Sequence, residues 1–182
     1  MMIETPRLLI RQRTTYDVET IHAAKLAVKA ELMRWMSWAS EDQFTPESTQ
    51  VFIHKREEKL DGLMGIDRDT GELAVMCGLG SKTPGVYETG YWVTKPFLGR
   101  GYATEACHAM ILYAFNELGA KEVVITHFDG NDKSQRVIKK LGFEFTHVVK
   151  EGIICHTLGH KVDHWYYRRK NANNLPDMKI TW

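Results

Sequence analysis

"VYETGYWVTKPFLGRGYATEACHAMILYAFNELGAKEVVIT" occupies residues 86–126, and its reading decides the fold. Residues 86–93 read as a strand. Gly99 and Gly101 flank Arg100, and an amphipathic run over 102–118 follows at once, closed by Gly119 as a C-cap. "KEVVIT", residues 121–126, is a short buried strand of β-branched residues. Strand, helix and strand in this order predict a parallel, right-handed βαβ unit.

The flanking sequence is of a different kind. "TPRLLIRQR", residues 5–13, predicts a strand after a proline. Thr14 and Thr15 are N-cap candidates for a helix whose apolar positions are Val18, Ile21, Ala24 and Val28. Leu32, Met33, Trp35 and Met36 suggest a second short helix. "FTPEST" opens a third, with Thr45 as cap, Pro46 at the first helical position and an expected apolar face of Val51, Phe52 and Leu60. Residues 63–80 read as a hairpin turning around 69–71. A helix is expected over 132–141, ended by Gly142, then two paired strands, "FEFTHVV" and "KVDHWYYRR". The expected fold is an α/β mixed sheet, mostly antiparallel with a parallel centre. A single domain is expected over 1–170, with residues 171–182 a loose polar tail.

The chain has 182 residues, 43% hydrophobic, and a net charge of +1. That suits one domain with a real core and demands no nucleic acid or other polyanionic partner. No apolar run is long enough to span a membrane, and the start lacks the pattern of a signal peptide. Cys77, Cys107 and Cys155 are few, far apart and odd in number, which fits reduced thiols and a cytoplasmic protein.

A helix N-terminus carries unpaired N–H groups and partial positive charge, and after a strand it binds phosphate well. Gly99 and Gly101 would let backbone N–H groups approach a ligand, and Arg100 adds a cation. A plain strand-to-helix turn would read the same way. The stretch has no Gly-Lys-Ser/Thr ending and lacks the third glycine of a dinucleotide site.

Residues 88–145, "ETGYWVTKPFLGRGYATEACHAMILYAFNELGAKEVVITHFDGNDKSQRVIKKLGFEF", resemble the core of the GNAT superfamily of acyl-CoA-dependent N-acetyltransferases. The likeness is greatest to the Rim-type subgroup that acetylates ribosomal-protein N-termini. It extends to "ETPRLLIRQ" and "DHWYYRR", so it covers nearly the whole chain. In the family signature Gln/Arg-x-x-Gly-x-Gly/Ala, Leu98 replaces the polar residue, while Gly101 and Ala103 match. The resemblance implies helices on both faces of the sheet, a central parallel pair that splays apart, and acetyl-CoA in the splay. Trp92, Val93 and Thr94 would pair with the pantetheine arm, with the Val93 N–H aimed at the thioester oxygen. Leu98, Gly99, Arg100, Gly101, Tyr102 and Ala103 would take the pyrophosphate.

The resemblance also implies roles in "GNDKS". Asn131 would bond the pantetheine and Ser134 would protonate the departing thiolate. Many relatives carry a tyrosine one turn later, where this chain has Ile138. Lys133, Arg136 and Lys140 are candidates for the 3′-phosphate, and solvated helix surface would equally explain them. Glu88 and Asp163 are the base candidates, and His127 and His164 can shuttle protons. Asn131 and Ser134 would equally suit a plain helix cap. Trp35 and Trp38 border the acceptor groove in this subgroup, and core packing would also explain them. His156, His160 and His164 lie four apart, but Gly152, Gly159 and the strand-like alternation of "KVDHWYYRR" argue against a helical metal site, so no metal is expected.

Three readings follow. The first is acetyl transfer from acetyl-CoA to a primary amine, by resemblance a protein N-terminus. The second has a small-molecule amine as acceptor, and the third is a CoA-binding module without catalysis. Monomer and homodimer both stay open.

Overall fold

The computed structural model describes residues 1–54 and 60–182. Among them eight strands form one sheet: β1 (Met2–Glu4), β2 (Leu8–Arg11), β3 (Leu63–Asp67), β4 (Leu73–Thr83), β5 (Val86–Val93), β6 (Glu122–Phe128), β7 (Glu144–Cys155) and β8 (His160–Arg169). Their spatial order is β1-β2-β3-β4-β5-β6-β8-β7. Between β4 and β6, the sheet changes from antiparallel to parallel. Five α-helices among the described residues accompany it: α1 (Val18–Ala27), α2 (Lys29–Trp35), α3 (Pro46–His54), α4 (Tyr102–Asn116) and α5 (Asp132–Lys140). The fold is the mixed, mostly antiparallel sheet that the sequence predicts, and β5–β6 is its parallel pair.

That pair is short. Only Val86↔Glu122, Tyr87↔Val123 and Glu88↔Val124 are in register. Beyond them β5 stays paired with β4 as far as Val93, and β6 with β8 as far as Phe128. The facing edges of residues 89–93 and 125–128 therefore diverge, opening a wedge in the middle of the sheet.

Strand alternation separates two packing layers. On one face Leu63, Val75, Cys77 and Leu79 meet α4, whose Ala106, Ala109 and Ala114 let it lie close to the strands. On the other, Met64 and Met76 pack with Ile21 of α1 and Ile53 of α3. Trp92 joins Leu32 and Phe44 on this second face.

Several expectations are corrected. The strand expected over 5–13 is shorter, β2 alone at Leu8–Arg11, and an unexpected β1 precedes it at Met2–Glu4, because the Thr5 hydroxyl accepts from the Leu8 N–H at 2.9 Å and turns the chain back on itself at Pro6. The buried positions of α3 are Thr49 and Ile53, while Val51 is 48% exposed. Leu60 lies outside α3 and packs on the α4-side core. The segment from Asn171, expected to trail loosely, lays Leu175, Met178 and Ile180 on that core. It also forms a bridge between Glu4 and Thr181.

Gly78 shows how tightly the middle of the sheet is covered. A Cβ there would stand 2.5 Å from the Leu60 carbonyl oxygen and 2.7 Å from the Gly62 nitrogen. Both are backbone atoms, and the Leu60 carbonyl is already fixed by the Leu79 N–H at 2.9 Å. Gly78→Ala is therefore expected to cost about 1–3 kcal/mol, as over-packing does. A lowered urea midpoint at unchanged m-value checks it.

Candidate functional site

The wedge between β5 and β6 opens into a cavity of about 940 Å³ that passes through the sheet. Glu88, Gly90 and Trp92 reach it from the α1–α3 face, and Tyr91 and Ser134 from the α4–α5 face. On the first face Gly80 lies opposite Glu88, and Gly78 opposite Gly90. A Cβ at Gly90 would meet nothing within 4 Å, and one at Gly80 only the Glu88 carbonyl oxygen at 4.0 Å. The two glycines thus leave a floor without side chains next to a carboxylate.

At the far end of β5, Thr94 is buried, and its N–H donates to the Ala74 carbonyl on β4 at 3.0 Å. Successive residues of a strand direct their N–H groups to opposite edges. The Val93 N–H therefore lies on the edge facing the wedge, whereas that of Thr94 is committed to β4.

The glycine turn follows. Gly99 and Gly101 have φ of 73° and 86°, in the left-handed region that glycine favours. Gly101 is the N-cap of α4 and supplies no side-chain cap, so the first N–H groups of the helix, from Tyr102 and Ala103 onward, stay free of one. Arg100 lies 5.5 Å from the Phe97 ring and 5.8 Å from the Tyr102 ring. Leu98 is 42% exposed, so the turn presents backbone and Arg100 around it.

A brace that the sequence did not announce holds this turn. Arg7 donates from Nη1 to the Arg100 carbonyl at 2.9 Å and from Nε to Glu105 at 2.6 Å. The same carboxylate accepts from the Thr5 hydroxyl at 2.6 Å and the Arg7 N–H at 2.9 Å. Arg7 also stacks 4.3 Å from the Tyr102 ring centroid, and the Tyr102 hydroxyl donates to the buried Asp67 at 2.5 Å. A Cβ on Gly101 would stand 3.4 Å from Arg7 Nη2, so Arg7 is a second cation beside the turn.

Across the wedge, Asn131 caps α5 by accepting from the Ser134 N–H at 3.1 Å. The Ser134 hydroxyl lies 3.2 Å from the Tyr91 hydroxyl. Burial pushes the Tyr91 phenol up, which keeps it protonated and able to donate. Ile138, where the resemblance places the tyrosine of many relatives, is fully buried in the core. Lys133, Arg136 and Lys140 stand exposed on α5.

The acid–base candidates separate by strand parity. Glu88 lines the cavity, pairs with Lys82 and accepts from Thr126 Oγ1 at 3.3 Å. Asp163 does not line it. It accepts from Lys150 at 2.6 Å and from the Glu151 N–H at 3.1 Å, and these bonds hold its carboxyl below the usual range. His127 has both ring nitrogens engaged, by the Phe128 carbonyl at 2.8 Å and the Tyr167 hydroxyl at 3.2 Å. His164 lines the cavity and is buried. Among the described residues, no three His, Cys, Asp or Glu gather as a metal site, and His156 instead meets the Ser37 carbonyl at 2.7 Å.

Trp35 and Trp38 both line the α1–α3 end of the cavity, Trp35 half-buried and Trp38 43% exposed. Beside them stands Lys25, which donates to Thr49 Oγ1 at 3.1 Å and to the Gln43 carbonyl. Burial lowers its pKa. Arg7, Tyr91 and Lys25 escaped the sequence reading because each acts through a partner far away in the chain. For Arg7 and Glu105 the separation is 98 residues, and no spacing rule spans it.

An α/β sheet split at one parallel pair, with an uncapped glycine-led helix at the mouth of the split, is the arrangement that the resemblance to CoA-dependent acyltransferases implies. The family model described as Acetyltransferase (GNAT) domain matches residues 7–144, and the chain belongs to that family. It is 27% identical over 158 residues to a protein of Bacillus subtilis (strain 168) described as "Putative ribosomal N-acetyltransferase YdaF", covering 84% of this chain and 86% of that one. A GNAT-family acetyltransferase structure from Bacillus anthracis superposes with a TM-score of 0.81 at 25% identity, covering 93% of this chain and 98% of the other. The structure of RimL, a ribosomal L7/L12 alpha-N-protein acetyltransferase in complex with coenzyme A, shares the fold with a TM-score of 0.80. Its identity is 20%, over 96% of this chain and 100% of the other. Among the described residues no helix is long and apolar enough to cross a membrane.

The brace makes the first site-level test. Glu105→Ala leaves Arg7 and Thr5 without their shared acceptor, so a stability loss of about 1.5–3 kcal/mol is expected, the range for hydrogen bonds to a charged group. Thermal or urea unfolding measures it.

Proposed function

We propose that the protein transfers the acetyl group of acetyl-CoA to a primary amine, and that the preferred acceptor is the α-amine of a protein N-terminus of the ribosomal type. The observation that carries the first part is the wedge: β5 and β6 part after three residue pairs and lead to a glycine turn whose helix N–H groups have no side-chain cap. A pyrophosphate fits this cradle, because Gly99 and Gly101 leave the backbone open and Arg100 and Arg7 stand beside it. The acceptor class draws its support from YdaF, whose description names a ribosomal N-acetyltransferase.

In this reading the pantetheine arm runs along Trp92 and Val93 in the wedge, with Asn131 and Lys133 at the α5 side. The acceptor enters past Trp35 and Trp38. Its nitrogen attacks the thioester carbonyl carbon, and the Val93 N–H stabilises the negative charge that develops on the oxygen. As the tetrahedral intermediate collapses, the C–S bond breaks and Ser134 gives its proton to the thiolate, with Tyr91 in place to replenish it. Glu88 supplies negative charge beside the neutral amine, whose nitrogen becomes positive as it attacks.

Three measurements test this. Acetyl-CoA at a hundred times its Kd is expected to stabilise the fold by about 2.7 kcal/mol, a rise of about 5–10 °C in Tm for a chain of this size. No shift at saturating ligand would overturn the reading. Gly101→Glu, which sets a carboxylate against the pyrophosphate, should abolish the shift. Ser134→Ala should lower kcat on the order of 10²-fold and keep the shift, because a general acid acts on the chemical step. Mass spectrometry on a panel of peptides and small amines decides the acceptor class.

A further inference from the structure

The amine must give up a proton before or as it attacks, and the groups around the cavity are not equally free to take it. Glu88 is engaged by Lys82 and Thr126. Asp163 is bonded to Lys150 and Glu151 outside the cavity. His127 donates from Nδ1 to a carbonyl, which leaves Nε2 as the acceptor that the Tyr167 hydroxyl occupies.

His164 is different. It lies on β8 opposite Phe128 of β6 and Val149 of β7, and it is only 8% exposed. Strand pairing places it on the same face as Thr126, Tyr166 and Glu88, and all four line the cavity. Its Nδ1 is buried without a hydrogen-bond partner. The other ring nitrogen, Nε2, is not sealed in this way, and with the ring proton on Nδ1 it holds the lone pair towards the cavity that His164 lines.

We infer that His164 is the catalytic proton acceptor for the acetyl-accepting amine, working directly or through one water. This rests on the acetyl-transfer reading above. The N–H proton passes to His164 Nε2 while the nitrogen lone pair forms the C–N bond. The C–S electrons leave on sulfur, which takes the Ser134 proton. The products are the amide and free CoA; the imidazolium gives one proton up to solvent, and Ser134 regains one by way of Tyr91. Glu88, facing the ring from β5, stabilises the imidazolium.

The groups around the ring set the pH range. Burial lowers the His164 pKa most, Glu88 raises it, and His127 and Lys82 lower it. The Tyr166 ring, 4.6 Å away, separates it from His147 on β7. The net shift is below the ordinary 6.5, so the ring is neutral and able to accept at neutral pH. With an α-amine at saturation, wild-type kcat is expected to be flat through neutral pH and to fall below that pKa. In His164→Gln the fall should move up towards the amine's own pKa, near 8, with kcat at pH 7 down about 10- to 100-fold. The acetyl-CoA thermal shift should persist, which shows that the variant folds and binds. Free imidazole should restore part of the rate in His164→Ala.

A His164→Gln profile that superimposes on the wild type would overturn the proposal. So would loss of the acid limb in Glu88→Gln alone, with His164→Gln keeping it. If the wild type acetylates no amine at all, acetyl transfer itself fails and takes this inference with it. Wild-type turnover with an unmoved His164→Gln profile removes only the role of His164.

Discussion

The structure depends on β5 and β6 parting company after three residue pairs. A parallel pair in the middle of a sheet normally satisfies both strand edges along its length. Here each strand keeps its outer neighbour, β4 or β8, and gives up the inner one. The backbone groups on the two freed edges then need partners from outside the chain or from water. That unmet requirement makes the wedge a binding surface for an extended polar chain. It also accounts for a cavity that crosses the sheet, since an unbroken sheet would not let one through.

A wedge alone would not hold an anion at its mouth. The turn at residues 99–101 is held by a network that starts at the other end of the chain. Thr5, Arg7 and Glu105 share hydrogen bonds, and Arg7 also reaches the Arg100 carbonyl. Arg68 donates to the Thr5 carbonyl at 2.8 Å, and Asp67 receives the Tyr102 hydroxyl. The β1–β2 hairpin and the β3–β4 turn thus fix the start of α4 from two sides. Glu105 lies in the first turn of α4, where a carboxylate favours the positive helix end. Having its charge paired by Arg7 leaves the helix terminus itself positive towards an incoming phosphate.

The parts legible in the sequence are those whose pattern is local. β5, the glycine turn, α4 and β6 follow from alternation, helical spacing and C-cap glycines within some forty residues, and Asn131 caps α5 as its position suggests. The parts that were not legible depend on distant partners. The Thr5 side chain bends the N-terminal strand, because it finds Leu8 and Glu105 together. The last residues pack on the core because Glu4 offers a strand edge to Thr181. The apolar face of α3 differs from its helical spacing because Leu60 lies outside Pro46–His54 and belongs to the core on the opposite side of the sheet. Asp163 and His164 are neighbours in sequence, and only the pairing of β8 with β6 tells which of them faces the cavity.

That parity divides the chemistry as well as the packing. Tyr91 and Ser134 approach the wedge from the α4–α5 side, where burial holds the Tyr91 phenol in its protonated form. Glu88 and His164 approach from the α1–α3 side, where both line the cavity beside the glycine floor. A proton donor and a proton acceptor that met directly would hydrogen-bond to each other, and neither would be free for a substrate. The sheet keeps them apart, and the wedge is where a substrate can touch both. In the proposed reaction, donor chemistry on one face and acceptor chemistry on the other follow from a period of two residues along β5 and β8.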